Sequence, residues 1–337
     1  MRKQCTLKRE LVVMGHLMIK HVMIRALVAA VAICCGCVSG WSVTLDERLG
    51  AIIGDRQVGV AVYSPRGEII VAGDTAGYRM ADMCRFFQAV EVAGNHDFDE
   101  LVNSRVRIER DSLRRDVWSP LRAAMDSASC VIPPVALIDY SLMMNDNNAA
   151  RILTDRFLNG TPRVSDHTEM TPHAAVSRMY DFFVADTVAS DILVKAVMAR
   201  ESAFGRERIV AGIPSQSARV FHKTGTSPAD SEGVRAVVSD LAMVSYPVAN
   251  GYGHYAIGVF VRNHKGDLAE ADKLIADISG AVWSDIIVDE SLSVGLDSVW
   301  RAPKSSQVPA QNDDEKYTWG DFLIDTVFTI VDHAIWD

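Results

Sequence analysis

Three short stretches concentrate the side chains able to do chemistry: Cys84-Arg85 with Gln88, Asn145-Asp146-Asn147, and the run His222 to Ser227 (HKTGTS). A thiol becomes a nucleophile once a neighbouring base has deprotonated it. Cys84 has no histidine within a helical turn, and free cysteine is commonly a buried packing residue, so an inert thiol is expected. The guanidinium of Arg85 cannot attack a carbonyl, and the neutral amide of Gln88 cannot take a proton. Between residues 41 and 300 no Ser, Thr or Cys stands three positions before a lysine, so a hydroxyl or thiol with an amine one helical turn away is missing. Asn145 can donate and accept hydrogen bonds but relays a proton poorly. Asp146 and Asn147, by contrast, are residue types favoured in turns and helix caps. The nine histidines are scattered without ligand spacing, so neither a metal site nor a cofactor is expected.

The elements that must position these residues can be read from periodicity. Leu45–Ile53 has apolar residues at helical spacing; Val58–Tyr63 is rich in β-branched residues and ends in Ser-Pro-Arg-Gly, a turn, with Glu68–Ala72 as the return strand. Helices are predicted over Met80–Val92, Ile138–Leu158, Pro172–Val184 and Asp191–Ala199. Strands follow at Arg219–Lys223, Arg235–Ser245 and Tyr255–Val261, then a helix over Asp267–Ile287. Strands at both ends with helices between imply one antiparallel sheet assembled from the two ends of the chain, flanked by helices, with an all-helical lobe beside it. That is an α+β architecture.

The composition is that of a globular protein, 49% hydrophobic and 23% charged, with a net charge of −9 that argues against nucleic acid as a partner. Residues 1–40 read as a signal peptide or lipoprotein leader. Lys20, His21 and Arg25 precede the apolar run Ala26–Cys35, and small residues Val38 and Gly40 follow, so export to the periplasm or envelope is expected. Cys37 after Gly36 is a candidate lipidation site, and with four cysteines in the leader only Cys84 and Cys130 remain in the domain, too few for a disulfide framework. The domain is expected over 41–300, a polar linker over 301–316 and an amphipathic helix over 317–337. In that last segment Trp319, Phe322, Leu323, Val327, Ile330, Val331, Ala334 and Ile335 form a stripe opposite Asp321, Asp325 and Asp332, to be covered by the domain itself or by a protein partner.

GVAVYSPRGEIIVAGDTAGYRMADMCRFFQAV (59–90), MMNDNNAARIL (143–153) and HKTGTS (222–227) occur in one order over roughly residues 45–288. Together they resemble the class A β-lactamase family. Trp118-Ser119-Pro120 and Thr171-Pro172 sit where that family often has similar pairs. The resemblance implies a β-lactamase/transpeptidase-like fold. It also implies a site in which a lysine amine takes the proton of a serine hydroxyl one turn away, whose oxygen attacks the substrate carbonyl. Those positions are held here by Arg85 and Gln88, and Asn145 replaces the serine of the family's Ser-Asp-Asn loop, while Asp146 and Asn147 remain. The deacylating glutamate has no counterpart in a long loop; Glu169 is the sole glutamate in that region. Lys223, Thr224, Gly225 and Thr226 match the strand that binds the substrate carboxylate. Lys223 is expected to be a ligand-binding cation, or else to pair with Asp146, and His222 and Arg235 to be solvated strand residues. The implied function is a catalytically impaired or inactive homologue that binds a carboxylate-bearing cell-wall fragment or a protein. The alternative is an active β-lactamase or D,D-peptidase with altered catalytic residues. Arg85 and Lys223 would place two cations at one concavity, needing a carboxylate between them, with Asp146 as the internal candidate.

Overall fold

The computed structural model describes residues 44–293, apart from 186–187, 201, 203, 215–217 and 249–250 and the side chains of 288–293. The expected leader (1–40), linker (301–316) and C-terminal helix (317–337) lie outside the described residues.

Helix α1 (Leu45–Ile53) leads into the hairpin β1 (Val58–Tyr63) and β2 (Ile69–Gly73). The three long strands that complete the sheet come from the far end of the chain: β7 (Arg219–Thr226), β8 (Val234–Val248) and β9 (Gly251–Lys265). The order is β2-β1-β9-β8-β7, antiparallel throughout, with β1 meeting β9 in the register Val58↔Val261 to Tyr63↔Ala256. β7 and β8 run three residues past their expected C-terminal ends, and β9 four residues past both of its ends. The alternation of side chains in a strand sends successive residues to opposite faces. On β8, Val238, Ala242 and Val244 therefore join one apolar cluster, and Val237, Leu241 and Met243 the other.

The first cluster is completed by α1 (Leu45, Leu49, Ile53) and by the long helix α9 (Leu268–Ser293), through Leu274, Ile275, Ile278 and Val282. A 3-10 turn at Ile209–Gly212 lies directly on α9, where a Cβ at Gly212 would come within 2.3 Å of the Ala276 carbonyl, so no other residue fits. The opposite face carries the helical part. Its members are α2 (Cys84–Asn95), α3 (Phe98–Asn103), α4 (Pro120–Ala123), α5 (Pro134–Met143), α6 (Asn147–Phe157), α7 (Pro172–Val184) and α8 (Ala189–Met198). Phe86, Leu137, Leu153, Met179 and Phe260 are buried together in its core, each contributing on the order of 1.5–3 kcal/mol.

Two departures from the expected elements matter. The helix predicted over Ile138–Leu158 is two helices, α5 and α6, because Asn145 takes φ +52° and Asp146 is extended, which ends one helix and caps the next. Apolar spacing continues across the break, and periodicity alone cannot see it. Two small ladders were also unanticipated: β3 (Tyr78–Arg79) with β6 (Glu169–Met170), and β4 (Val106–Glu109) with β5 (Ser129–Ile132). Among the described residues no helix is long and apolar enough to cross a membrane.

Candidate functional site

The site lies where α2, the α5–α6 junction and β7 converge. A 3-10 turn, Ala81–Met83, starts α2; Ala81 is held at φ +44°, and its N–H donates to the Asp166 carbonyl. One residue into α2 stands Arg85, 5% exposed. Its Nε and Nη2 donate to Asp82 Oδ1 at 3.2 and 3.0 Å, Nη1 to the Asp146 carbonyl at 2.7 Å, and Nη2 also to Asn147 Oδ1 at 3.0 Å. A guanidinium has five N–H groups, and four contacts of this kind tie it inside the protein. One turn on, Gln88 Nε2 donates to the Val164 carbonyl at 3.0 Å and to Cys84 Sγ at 3.6 Å. Burial pushes the Cys84 thiol up to about 12, against the opposing pull of Arg85. Such a thiol is protonated at neutral pH, in keeping with an inert Cys84.

Asp146 is fully buried and spends its carboxylate on structure. It accepts from Ala149 N at 2.8 Å as the cap of α6, from Leu121 N at 2.7 Å in α4, and from the Ser119 hydroxyl at 2.9 and 3.0 Å. The expectation that Asp146 pairs with Lys223 or Arg85 through its carboxylate is therefore corrected; only its main-chain carbonyl reaches Arg85. The counter-ion of Arg85 is Asp82, which the sequence reading did not single out. Its three-residue spacing from Arg85 at the start of a helix was the available signal. Asn147 also donates to the Trp118 carbonyl at 3.1 Å, and Trp118 Nε1 donates to the Met144 carbonyl at 2.8 Å, which fixes an exposed indole beside the junction.

On β7, Lys223 is buried and donates to Asn145 Oδ1 at 2.7 Å and to the Thr224 carbonyl at 2.9 Å. Desolvation brings its pKa down to about 8; Asp82 opposes the shift and Arg85 adds to it. Gly225 is required by close approach, since a Cβ there would stand 2.9 Å from the Met80 carbonyl and 2.8 Å from Ser239 Oγ. Thr224 is buried in the same strand, and Thr226 faces the open cleft. Behind the strand lies Arg208, which no local pattern announced. Its Nη2 donates to Thr226 Oγ1 at 2.8 Å, Nη1 to the Ser239 carbonyl at 2.7 Å, and Nε to Asp272 Oδ1 at 2.7 Å. Thr226 Oγ1 accepts that bond and keeps its own proton to donate into the cleft. His222 is not solvated as expected: it is buried, with Nδ1 3.1 Å from Asp240 Oδ1. Arg235 is half-buried, with Nη1 donating to the Ser227 carbonyl at 3.1 Å.

The open space is a cleft of 660 Å³ lined by Arg79, Asp82, Asn147, Asp166, Thr226, Ser227 and Asp230, among others. Neither Arg85 nor Lys223 lines it. Glu169 sits on β6 opposite Arg79 and outside the cleft, so the loop before α7 contributes Asp166 as its only carboxylate there. Among the described residues no group of three metal-ligating side chains is found.

A five-stranded antiparallel sheet built from both ends of the chain, with a helical lobe across a cleft bordered by the Lys-Thr-Gly strand, is the β-lactamase/transpeptidase-like α+β fold. The model of the Beta-lactamase enzyme family matches residues 165–286. A β-lactamase of Phocaeicola vulgatus is 25% identical over 259 residues, 68% of this chain and 79% of the relative. The extended-spectrum β-lactamase PER-1 of Pseudomonas aeruginosa is 23% identical, covering 72% of this chain and 87% of its own. Among solved structures, a class A β-lactamase of Bacteroides cellulosilyticus is similar with TM-score 0.63 at 22% identity, over 73% of this chain and 97% of that one. The TLA-3 extended-spectrum β-lactamase also has TM-score 0.63, at 21% identity over 72% and 98%. The chain therefore has the fold of the class A β-lactamases and is similar in sequence to a β-lactamase over 68% of its length.

Proposed function

We propose that this chain is an exported member of the family that does not form an acyl-enzyme, and that it retains its cleft for binding a cell-wall peptide or a protein segment. One observation carries the reading: the Arg85 guanidinium stands one residue into α2, tied to Asp82, the Asp146 carbonyl and Asn147, where the family resemblance expects the nucleophile. Nothing attached to that position can attack a carbonyl. Carboxylate capture by Arg85 and Lys223 is disfavoured, because both cations are buried and use their N–H groups internally. Binding would instead draw on the neutral donors and acceptors at the cleft, Asn147, Thr226 and Ser227, and on the exposed Trp118 ring.

The alternative, an active β-lactamase or D,D-peptidase with rebuilt catalysis, is favoured by the intact Lys223-Thr224-Gly225-Thr226 strand and by the β-lactamase relatives. Intact-mass measurement after incubation with a fluorescent penicillin separates the two. The proposed reading expects unmodified protein; a stoichiometric acyl adduct sinks it, and peptide mapping would then name the nucleophile.

A further inference from the structure

A second cavity, of 400 Å³, opens where the C-terminal end of α1, the last residues of β9 and the first turn of α9 meet. Its ionisable lining is Arg56, Arg262, His264 and Lys265 against a single carboxylate, Glu270. In a chain with net charge −9 this is a local reversal of sign. Each cation is held differently. Arg56 Nε and Nη2 donate to the carbonyls of Ile53 and Ile52 at 3.0 and 2.8 Å, so the α1 terminus orients its guanidinium, and among the described residues no carboxylate pairs with it. Arg262 lies over the Tyr78 ring, 4.4 Å from its centroid, and 3.7 Å from Asp74. The Lys265 ammonium has no ion pair among the described residues, although Glu270 lines the same cavity. Buried Val261, Ala271 and Leu274 form an apolar floor, and the start of α9 beside it is capped by Asp267, whose Oδ1 accepts from Ala269 N at 3.1 Å. His264 is anchored to the Asp267 carbonyl at 2.8 Å.

We infer that this cavity is a binding site for a small phosphate-bearing anion, either a soluble phosphate or a phospholipid headgroup, received by Arg56 and Lys265. Glu270 opposes the anion and sets a weak affinity, which gives the site a signed test. Titration calorimetry of the full chain with inorganic phosphate should show saturable binding. Lys265→Gln should weaken it about tenfold, the worth of one charge-assisted hydrogen bond, and Glu270→Gln should tighten it. Both residues are exposed, so thermal melts of the variants should match the wild type. Co-sedimentation with phosphatidylglycerol vesicles against phosphatidylcholine vesicles assigns the source: retention on the former alone, lost in Lys265→Gln, identifies a headgroup site. Neither heat nor sedimentation, or binding that both substitutions leave unchanged, overturns the inference.

Discussion

The Lys223 ammonium donates at 2.7 Å to the side-chain carbonyl of Asn145, a residue held at φ +52° between two helices. This bond between a neutral acceptor and a buried cation links the strand to the helical lobe, beside the Phe183–Phe221 ring contact. Burial leaves the lysine with a pKa of about 8, below its ordinary value. A depressed lysine pKa means that the unfolded chain binds more protons than the folded one between about 8 and 10.5, so stability rises with pH across that window. Compared with Lys223→Met, the wild type should gain on the order of 1–3 kcal/mol between those pH values in urea titrations. A flat difference would show that the amine is solvated.

Asp146 supports α4 and α6 at once, through backbone N–H groups of Leu121 and Ala149 and the Ser119 hydroxyl. Asp146→Ala strands three donors in a buried place and should cost about 3 kcal/mol or more, measured by denaturant unfolding. Asp146→Asn keeps some of these bonds and should cost less. Equal costs for the two variants would assign the effect to the carboxylate itself, since asparagine keeps the volume.

Placing a serine and a lysine in α2, Arg85→Ser with Gln88→Lys, should not produce efficient turnover of a chromogenic cephalosporin. Asn145 offers no hydroxyl relay, and Glu169 lies on β6 outside the cleft. The same exchange leaves Asp82 without its arginine. Rapid multiple turnover would mean that Asp166, which does line the cleft, supplies the missing base.

The two cysteines of the domain should differ towards alkylation. Cys84 is buried with its thiol pushed up to about 12, whereas Cys130 on β5 is only half-buried. Iodoacetamide at pH 8 followed by peptide mapping should label Cys130 well before Cys84. Preferential modification of Cys84 would reopen it as a nucleophile.

The sheet was legible in the sequence because strands buried on both faces, such as Val58–Tyr63 and Tyr255–Val261, read as unbroken apolar runs bounded by turns. The helices of Leu45–Ile53 and Pro172–Val184 were placed to the residue, the latter because Thr171 and Pro172 mark its first turn. The site was legible only as a set of positions. Asp82 gains its meaning from a 3-10 turn that brings its carboxylate onto Arg85, and Arg208 reaches Thr226 from a preceding loop with no local pattern. The shift of the open cleft away from Arg85 and Lys223 follows from their burial, which spacing does not encode.

The pairing of β1 with β9 has a consequence for the order of events during synthesis. Gln57, just before β1, bonds to Asn263, 206 residues further along, and β1 and β2 alone make a two-stranded ribbon that is marginal in water. The nascent chain must carry that hairpin unfinished until its last strands have emerged, so contacts of such long range make folding slow and late. A ribosome-bound chain stopped before residue 251 lacks β9 entirely and should remain protease-sensitive over Val58–Gly73.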